Sequence, residues 1–298
     1  MELEPAPAGG TPEVHRRRVR EALRSARRQR ELTQETVAAR LNWSKSKVAR
    51  IESGQVGVSV TDLRALLALY QVSDPDQVTR LEAGTREGRR RTSSWRRYAD
   101  VLSPAFVTYL GYEESATRIR HFQPAIVPGL AQTPAYARAV LGAAASGEEL
   151  TRRLALRTER QHRVLGRPDS PRLHLVLDEA VLRRRVGGPG VLAEQLRYLT
   201  ELSVSPRVTL QVIGFDAGYY PGISAPFVLL DADDIRVLYQ EGSRGDLLLR
   251  DNPTEITAHT TMFDNLEQRA RSVEHSCATV QEILGDPQCR PGTQRPVR

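Results

Sequence analysis

The side chains best suited to chemistry stand together at residues 44–47, where serine and lysine alternate. If these residues begin a helix, their hydroxyl and ammonium groups surround its N-terminus, which attracts anions. Such groups bind phosphate oxygens and the hydrogen-bond acceptors on the base edges of DNA. The sequence therefore predicts contact with double-stranded DNA through Ser44, Lys45, Ser46 and Lys47. For each lysine, a phosphate contact and a base contact are equally open.

Two short helices joined by a tight turn are predicted to position these side chains. Thr33 suits the N-cap of the first helix, and Ser44 suits that of the second. Asn42 tolerates the left-handed backbone that a sharp turn needs, and Gly54 suits a helix C-terminus. Together they form a helix-turn-helix pattern over residues 32–54, in which the second helix enters the major groove.

The positive charge of the chain is concentrated around this pattern. The 298 residues carry a formal net charge of +7. Residues 15–50 hold ten arginines and two lysines against three glutamates, so this segment carries +9 and the rest carries −2. Such a concentration is typical of a small module that neutralises phosphates. Because arginine is abundant throughout the chain, a solvated arginine-rich helix is the alternative explanation of the charge taken alone.

Further amphipathic segments predict a small all-α bundle around the motif. Thr61 is the expected N-cap of the fourth helix, and the segment before it, which contains two glycines, is expected to be a loop. Helices are expected at residues 14–30, 34–41, 45–53, 61–70 and 76–87.

The segment LRSARRQRELTQETVAARLNWSKSKVARIESG and the helix after it resemble the Cro and phage-repressor type of helix-turn-helix domain over about residues 16–72. The resemblance implies that Gln34 contacts a phosphate or helps to orient the next helix. It also adds Arg50, one turn beyond the serines and lysines, to the predicted DNA contacts. The chain departs from the family at Asn42, where glycine is usual.

Composition limits the class of protein. Hydrophobic residues make up 40% of the chain and charged residues 27%, which is typical of a globular protein. There is no apolar run of about 18 residues, so no membrane span is expected, and the acidic, proline-rich start does not read as a signal peptide. Cys277 and Cys289 are expected to be free thiols. The protein is predicted to be cytoplasmic and associated with the nucleoid.

Shifts in composition predict two domains and two tails. The helix-turn-helix domain is expected at residues 14–88 and a second domain at 95–285, with a charged linker at 89–94. Residues 1–13 and 286–298 are expected to be disordered.

The second domain is predicted to be mixed α/β. Apolar runs at residues 172–177 and 208–213 alternate with amphipathic helices, and a hairpin is predicted at 227–240. These segments predict a sheet of about five strands, with residues 246–250 as a candidate further strand. The fold class of the whole chain is therefore α+β.

No motif for catalysis stands out in the second domain. Phosphate-binding, dinucleotide-binding, zinc-protease and nucleophile-elbow signatures are absent. Asp178 and Glu179 follow a strand, but neighbouring strand residues point to opposite faces, so they make a poor acid–base pair. Asp178 is better interpreted as the N-cap of the next helix. We predict no enzyme activity, no cofactor and no metal; an enzyme built on Asp178, Glu179 and Glu241 is the least favoured alternative.

The second domain resembles the C-terminal domain of actinobacterial helix-turn-helix regulators of the WhiJ type, which are also described as antitoxin-like. The segments WRRYADVLSPAF, PAIVPGLAQTPAYARAVL, VLDEAVLRRRVGG and PFVLLDADDIRVLYQEG carry the resemblance, in matching order along about residues 95–285. It implies a regulator without assigned chemistry in its second domain. It also implies a small acidic protein encoded beside it as a partner.

Two functions follow for the second domain. One is the sensing of a small molecule by a DNA-binding regulator. We expect this regulator to bind DNA as a homodimer, because contact with two half-sites multiplies the discrimination between DNA sequences. The other is the binding of a small protein partner, with autoregulation of the operon. A small molecule is expected to contact aromatic side chains and polar anchors of the second domain. The candidate ligand-binding residues are Trp95, Tyr98, Gln132, Tyr136, Glu179, Tyr239 and Glu241.

Overall fold

The computed structural model describes residues 10–89, 94–233, 235–242 and 245–285. Contacts divide the chain into two compact units, Met1–Arg97 and Tyr98–Arg298. The predicted tail at 286–298 and residues 90–93 of the predicted linker lie outside the described residues, as do residues 1–9. The fold class is α+β, as the sequence predicts.

The described part of the first unit is a bundle of α-helices. Val37 and Leu63 are fully buried at its centre, where Leu23, Val48 and Leu66 pack around them. The helices are α1 (Pro12–Gln29), α2 (Gln34–Leu41), α3 (Lys45–Ser53), α4 (Val60–Leu69) and α5 (Pro75–Arg89).

The predicted turn between α2 and α3 is confirmed. The Thr33 side chain accepts a hydrogen bond from the Thr36 amide, and that of Ser44 accepts one from the Lys47 amide. Asn42 has φ 54° and ψ 42°, and therefore occupies the left-handed region in place of glycine. Gly54, with φ 75°, ends α3 in the same region.

Two helix starts differ from the sequence expectation. Helix α1 begins at Pro12, so residues 12 and 13 are helical rather than disordered, because proline at the first position has a preset helical φ. Helix α4 is capped by Ser59 instead of Thr61, since the Ser59 hydroxyl accepts a hydrogen bond from the Asp62 amide. Ser94–Tyr98 is a short 3₁₀ helix.

The described part of the second unit contains a six-stranded sheet with helices on both of its faces. The strands are β1 (Arg118–Gln123), β2 (Arg172–Asp178), β3 (Val208–Ile213), β4 (Phe227–Ala232), β5 (Ile235–Gln240) and β6 (Leu247–Leu249). The helices are α6 (Pro104–Glu114), α7 (Pro134–Gly142), α8 (Gly147–Leu165), α9 (Glu179–Arg183), α10 (Pro189–Leu202), α11 (Pro253–Arg269) and α12 (Val273–Gly285).

The sheet is mixed, with the order β3-β2-β1-β4-β5-β6. Strands β1, β2 and β3 are parallel to their neighbours, whereas β4 lies antiparallel to β1 and starts an antiparallel meander through β5 and β6. The candidate strand at residues 246–250 is thus present as β6. The two parts of the sheet meet where β1 and β4 pair.

Alternating residues of β1 point to opposite faces of the sheet. Phe122 belongs to an apolar cluster with Phe227 and with Phe263 of α11. His121 and Gln123 point to the other face. His121 is paired with Val228 of β4, and Val228 with Tyr239 of β5, so these three side chains form a row across the centre of the sheet.

Candidate functional site

The N-terminal edge of α3 faces solvent. Ser44, Lys45, Ser46 and Arg50 are exposed, while Val48 on the opposite side is buried in the bundle. Arg50 makes a long hydrogen bond of 3.4 Å to the Ser46 carbonyl, one turn before it. The edge predicted to contact DNA is therefore free to meet another molecule.

The two lysines of this edge are held differently. The Lys45 ammonium lies 3.2 Å from a Glu35 carboxylate oxygen, and both side chains are mostly exposed, so this pair is weak. The Lys47 ammonium lies 2.8 Å from Asp62 and 3.7 Å from the ring centroid of Trp43. Lys47 is therefore already paired with a carboxylate in the free protein. The contacts of both lysines with DNA stay predictions.

Gln34 contacts a buried carboxylate at the centre of the motif. Its side-chain amide donates a hydrogen bond of 2.8 Å to Glu52, which also accepts bonds of 2.7 and 2.9 Å from Arg27. Burial alone would raise the pKa of Glu52, but the hydrogen bonds from Arg27 and Gln34 outweigh it and hold the pKa below its ordinary value. Of the two roles open to Gln34, this contact favours the orientation of α3.

A cavity of about 320 Å³ lies within the second unit, between its sheet and α8. Side chains of β1, β4 and β5 form its floor, and those of α6, α7 and α8 form its walls. The segment from Ile126 to Gln132 closes one side. The cavity thus lies on the face of the sheet that carries the row of His121, Val228 and Tyr239.

One wall of the cavity is aromatic. Tyr109 stacks on Tyr239 with ring centroids 4.3 Å apart, and Phe106 stacks on Tyr109 at 5.5 Å. Burial raises the pKa of Tyr239, and the neighbouring carboxylates of Asp246 and Glu241 raise it further. The tyrosine hydroxyl is therefore neutral, and the wall presents flat, uncharged surface to the cavity.

A buried ion pair lies against the aromatic rings of this wall. Arg160 donates hydrogen bonds of 2.6 and 2.7 Å to the two oxygens of Glu113, which is fully buried on α6. The Tyr109 hydroxyl donates a third bond to the same carboxylate at 2.5 Å. The charge of Arg160 is thus matched inside the protein.

Arg157, one turn before Arg160, is placed differently. It is half-buried, and its guanidinium donates a bond of 2.5 Å to the Gln132 side-chain oxygen. Burial, and then the like charge of Arg160, lower the pKa of Arg157 to about 10, so it remains positively charged at neutral pH. Burial, followed by the charge of Arg160, also lowers the pKa of His121 to about 3, so this imidazole is neutral.

Two side-chain amides hold the segment that closes the cavity. Gln161 donates hydrogen bonds to the carbonyls of Gly129 and Gln132 at 2.9 and 2.8 Å. Gln195 donates to the Ala131 carbonyl at 2.7 Å and accepts a bond from the Thr133 amide at 2.8 Å. Because these backbone groups are fixed, the side chains of the segment have a defined position in the cavity wall.

Three of the seven predicted ligand-binding residues line the cavity, namely Gln132, Tyr239 and Glu241. Gln132 bridges Arg157 and the Val127 carbonyl, and Glu241 is exposed. Their contact with a ligand stays a prediction.

The other four predicted residues do not line this cavity, and all four are buried. The Tyr136 hydroxyl accepts a hydrogen bond from the Val127 amide, and the Tyr98 hydroxyl donates one to Glu159. Glu179 pairs with Arg183 and accepts a bond from the Phe215 amide, while Trp95 lies in the first unit. These side chains are used in holding the fold.

The carboxylates considered for catalysis do not meet in one cavity. Asp178 caps α9 through the Ala180 amide, as predicted, and accepts a hydrogen bond from the Tyr220 hydroxyl. Neither Asp178 nor Glu179 lines the cavity that Glu241 borders.

Sequence reasoning missed the residues that define the polar side of this cavity. Arg157 and Arg160 lie on an arginine-rich helix. Arg160 is bound by Glu113, 47 residues earlier in the chain, and Arg157 by Gln132, 25 residues earlier. The available signal was the helical spacing of Leu156, Arg160 and Val164, which are all buried on one face of α8. His121 is not among the candidate residues predicted from the sequence.

Comparisons with known proteins agree with the two-part organisation. The family model for a helix-turn-helix domain matches residues 18–81. The model described as Domain of unknown function (DUF5753) matches residues 106–282, more than half of the chain. Comparison with curated proteins and with solved structures gives no match. No helix in the described ranges is long and apolar enough to cross a membrane. The chain belongs to the DUF5753 family and carries a helix-turn-helix DNA-binding domain ahead of the family's domain.

Proposed function

We propose that this DNA-binding regulator binds its operator through the exposed edge of α3 and responds to a small molecule held in the cavity of its second unit. Four polar or cationic side chains on that edge support the first part, and the basic segment around them supports it further. The cavity of about 320 Å³ carries the second part.

The cavity has the properties of a ligand site. Its volume is at the lower end of the roughly 300–1,000 Å³ range of small-molecule pockets, and about twice the 150 Å³ of an engineered cavity that binds benzene. Aromatic and aliphatic side chains line it together with polar groups, among them Arg157 and Gln132, which can fix the orientation of a ligand. The lining side chains come mostly from helices and strands, so the site is largely preformed.

Binding as a homodimer is part of the proposal. A single α3 offers few base contacts, and two copies on adjacent half-sites would multiply the discrimination between sequences. The WhiJ-type resemblance supports a role in development or secondary metabolism. We expect the effector to alter transcription by changing the affinity of the protein for DNA.

Partner binding is the competing function. In the described ranges, the exposed large apolar side chains are Val56, Val204, Phe215, Tyr219 and Leu247. Single exposed apolar residues are common on protein surfaces. The antitoxin-like alternative therefore rests on the resemblance alone and is an outcome of the test below.

The test is thermal unfolding of the full chain with a metabolite extract from its host, fractionated by size. A small-molecule fraction should raise the melting temperature of the wild type, because ligand binding stabilises the folded state. Val140→Trp places a ring in the cavity wall and should abolish the shift. Val204→Trp, at a position that is 82% exposed, is the matched control and should keep it.

Equal shifts in the two variants would contradict binding in this cavity. No shift with any small-molecule fraction, together with a stable complex with a small protein, would favour the antitoxin-like function. The same fractions are then added to a DNA-binding titration, in which an active fraction should change the affinity of the full chain for DNA upstream of its own gene.

A further inference from the structure

The cavity contains a positive charge that the protein itself does not match. Within the described part of the chain, Arg157 has a hydrogen bond to a neutral amide oxygen of Gln132 and no carboxylate at ion-pair distance. Buried charges in proteins are usually paired, and Arg157 is partly buried. A guanidinium with unused donors that borders a cavity therefore points to an anion from outside.

The carboxylates nearest in the fold are otherwise engaged or lie at the border with solvent. Glu113 is bound by Arg160 and Tyr109. Asp246 accepts a hydrogen bond from the Ser103 hydroxyl. Glu241 is exposed at the cavity border, and its negative charge raises the pKa of Arg157, but the two form no ion pair among the described residues. Arg160 is paired with Glu113 and Arg153 with Glu149, so Arg157 is the arginine of the cavity wall that lacks an ion pair in the described part of the chain.

The backbone next to Arg157 is adapted to its guanidinium. A Cβ atom at Gly129 would lie 2.5 Å from Nη1 of Arg157 and 3.0 Å from Nη1 of Arg160. Glycine thus allows both guanidinium groups to lie against the fixed segment. Such a placement orients the planar donor group, and planar donors match a carboxylate in a two-point contact.

The remaining surface of the cavity selects for an apolar body. The stacked rings of Phe106, Tyr109 and Tyr239 face the same space as Arg157. The volume of about 320 Å³ accommodates a molecule with one or two rings, judged against the roughly 150 Å³ that benzene occupies in an engineered cavity. Neutral His121 adds no second positive charge for a dianion.

Building on the proposed effector site, we infer that its ligand is a small monocarboxylic acid, with the carboxylate on Arg157 and the apolar body against Phe106, Tyr109 and Tyr239. The acid and its uncharged amide have nearly the same shape. The difference in their affinities therefore measures the contact with Arg157.

The experiment is isothermal titration calorimetry of the full chain with matched pairs of an acid and its amide. The pairs are phenylacetate and phenylacetamide, 3-phenylpropionate and its amide, and 1-naphthaleneacetate and its amide. Inorganic phosphate is the probe for an anion without an apolar body. We expect at least one acid to bind roughly ten- to hundredfold more tightly than its amide, as a charged hydrogen-bonded contact would give. Phosphate should not bind.

Variants test the assignment to Arg157. Arg157→Gln should remove the preference for the acid, and Arg157→Lys should keep part of it because the charge remains. Glu241→Gln should tighten acid binding, since it removes a negative charge from the cavity border. Arg138→Gln removes an exposed charge from α7 at a position that does not line the cavity, and should leave both affinities unchanged. The melting temperature of each variant without probe shows that it is folded.

Three results would overturn the inference: equal affinity for acid and amide, an acid preference that survives in Arg157→Gln, or no binding of any acid. Whether the cavity is an effector site at all is tested separately, by the thermal unfolding experiment. A stabilising metabolite fraction whose effect is lost in Val140→Trp would preserve an effector site for a ligand of another class. If that fraction is also missing, the effector site itself is refuted.

Discussion

Replacing Glu52 with alanine should loosen the helix-turn-helix motif from within. Its carboxylate is the common acceptor for Arg27 of α1 and Gln34 of α2, while Glu52 itself lies on α3. The side chains of Arg27 and Glu52 are only 13% and 5% exposed, so solvent does not replace the lost contact. The Glu52→Ala variant leaves a guanidinium and an amide without their acceptor.

The size of the effect follows from the burial of the pair. Removing one partner of a buried ion pair costs about 3–5 kcal/mol, and a domain of this size has about 5–15 kcal/mol of stability in total. Amide protection against hydrogen exchange in α1, α2 and α3 should therefore fall by roughly two to four orders of magnitude, since 1.4 kcal/mol is a factor of ten.

Hydrogen–deuterium exchange of the full chain, read by peptide, is the assay. Glu35→Ala is the control, because Glu35 belongs to an exposed pair with Lys45 that contributes less than about 1 kcal/mol. Unchanged protection in Glu52→Ala, or an equal loss in Glu35→Ala, would refute the role given to Glu52. A loss confined to the second unit would refute it as well.

The pKa of Glu52 adds a pH test of the same contact. Because the pKa is lowered in the folded state, the stabilisation is complete above the ordinary glutamate pKa of about 4.3 and is lost as the pH falls through the folded-state value. Urea unfolding of the first unit should show this loss in the wild type. The Glu52→Gln variant should be less stable than the wild type near neutral pH. It should also lose less stability as the pH falls, because it lacks the contribution of Glu52.

Three further predictions concern the second unit. Gly129→Ala places a methyl group against Arg157, so probe acids should bind more weakly while the circular dichroism spectrum stays the same; unchanged affinity would show that the guanidinium can move without cost. Glu113→Gln leaves buried Arg160 without its counter-charge and should destabilise the unit by about 3–5 kcal/mol in thermal unfolding, whereas an effect within error would contradict the buried pair. His121 has its pKa lowered to about 3, so stability should fall by roughly 1.4 kcal/mol per pH unit as the pH drops from about 6 to 4, because the unfolded state takes up the proton. The His121→Asn variant should show a shallower slope over that range, and parallel slopes would exclude a neutral buried His121.

Local signals made the helix-turn-helix motif predictable from sequence. The caps at Thr33 and Ser44 and the left-handed residues Asn42 and Gly54 act over three or four residues, which is the range that sequence patterns cover. The cap formed by Asp178 was predictable for the same reason.

The cavity was only partly predictable because it depends on contacts between distant segments. An arginine on a charged helix looks solvated, and the burial of Arg160 depends on Glu113 on another helix. Tyr136 and Gln132 are equally plausible ligand contacts when judged from the sequence alone. In the structure, the Tyr136 hydroxyl binds a backbone amide, whereas Gln132 borders the cavity. Sequence patterns carry no information about which side of such a segment faces empty space.

A DNA-binding titration over a series of salt concentrations tests the regulator most directly. The full chain is titrated by fluorescence anisotropy against DNA from upstream of its own gene, as the wild type and as a Lys45→Ala and Arg50→Ala double variant. These two side chains are exposed on α3, whereas Lys47 is engaged by Asp62. The double variant should bind more weakly, and its salt dependence should be shallower by about two phosphate contacts. Affinity and salt dependence equal to the wild type would contradict DNA binding through the exposed edge of α3.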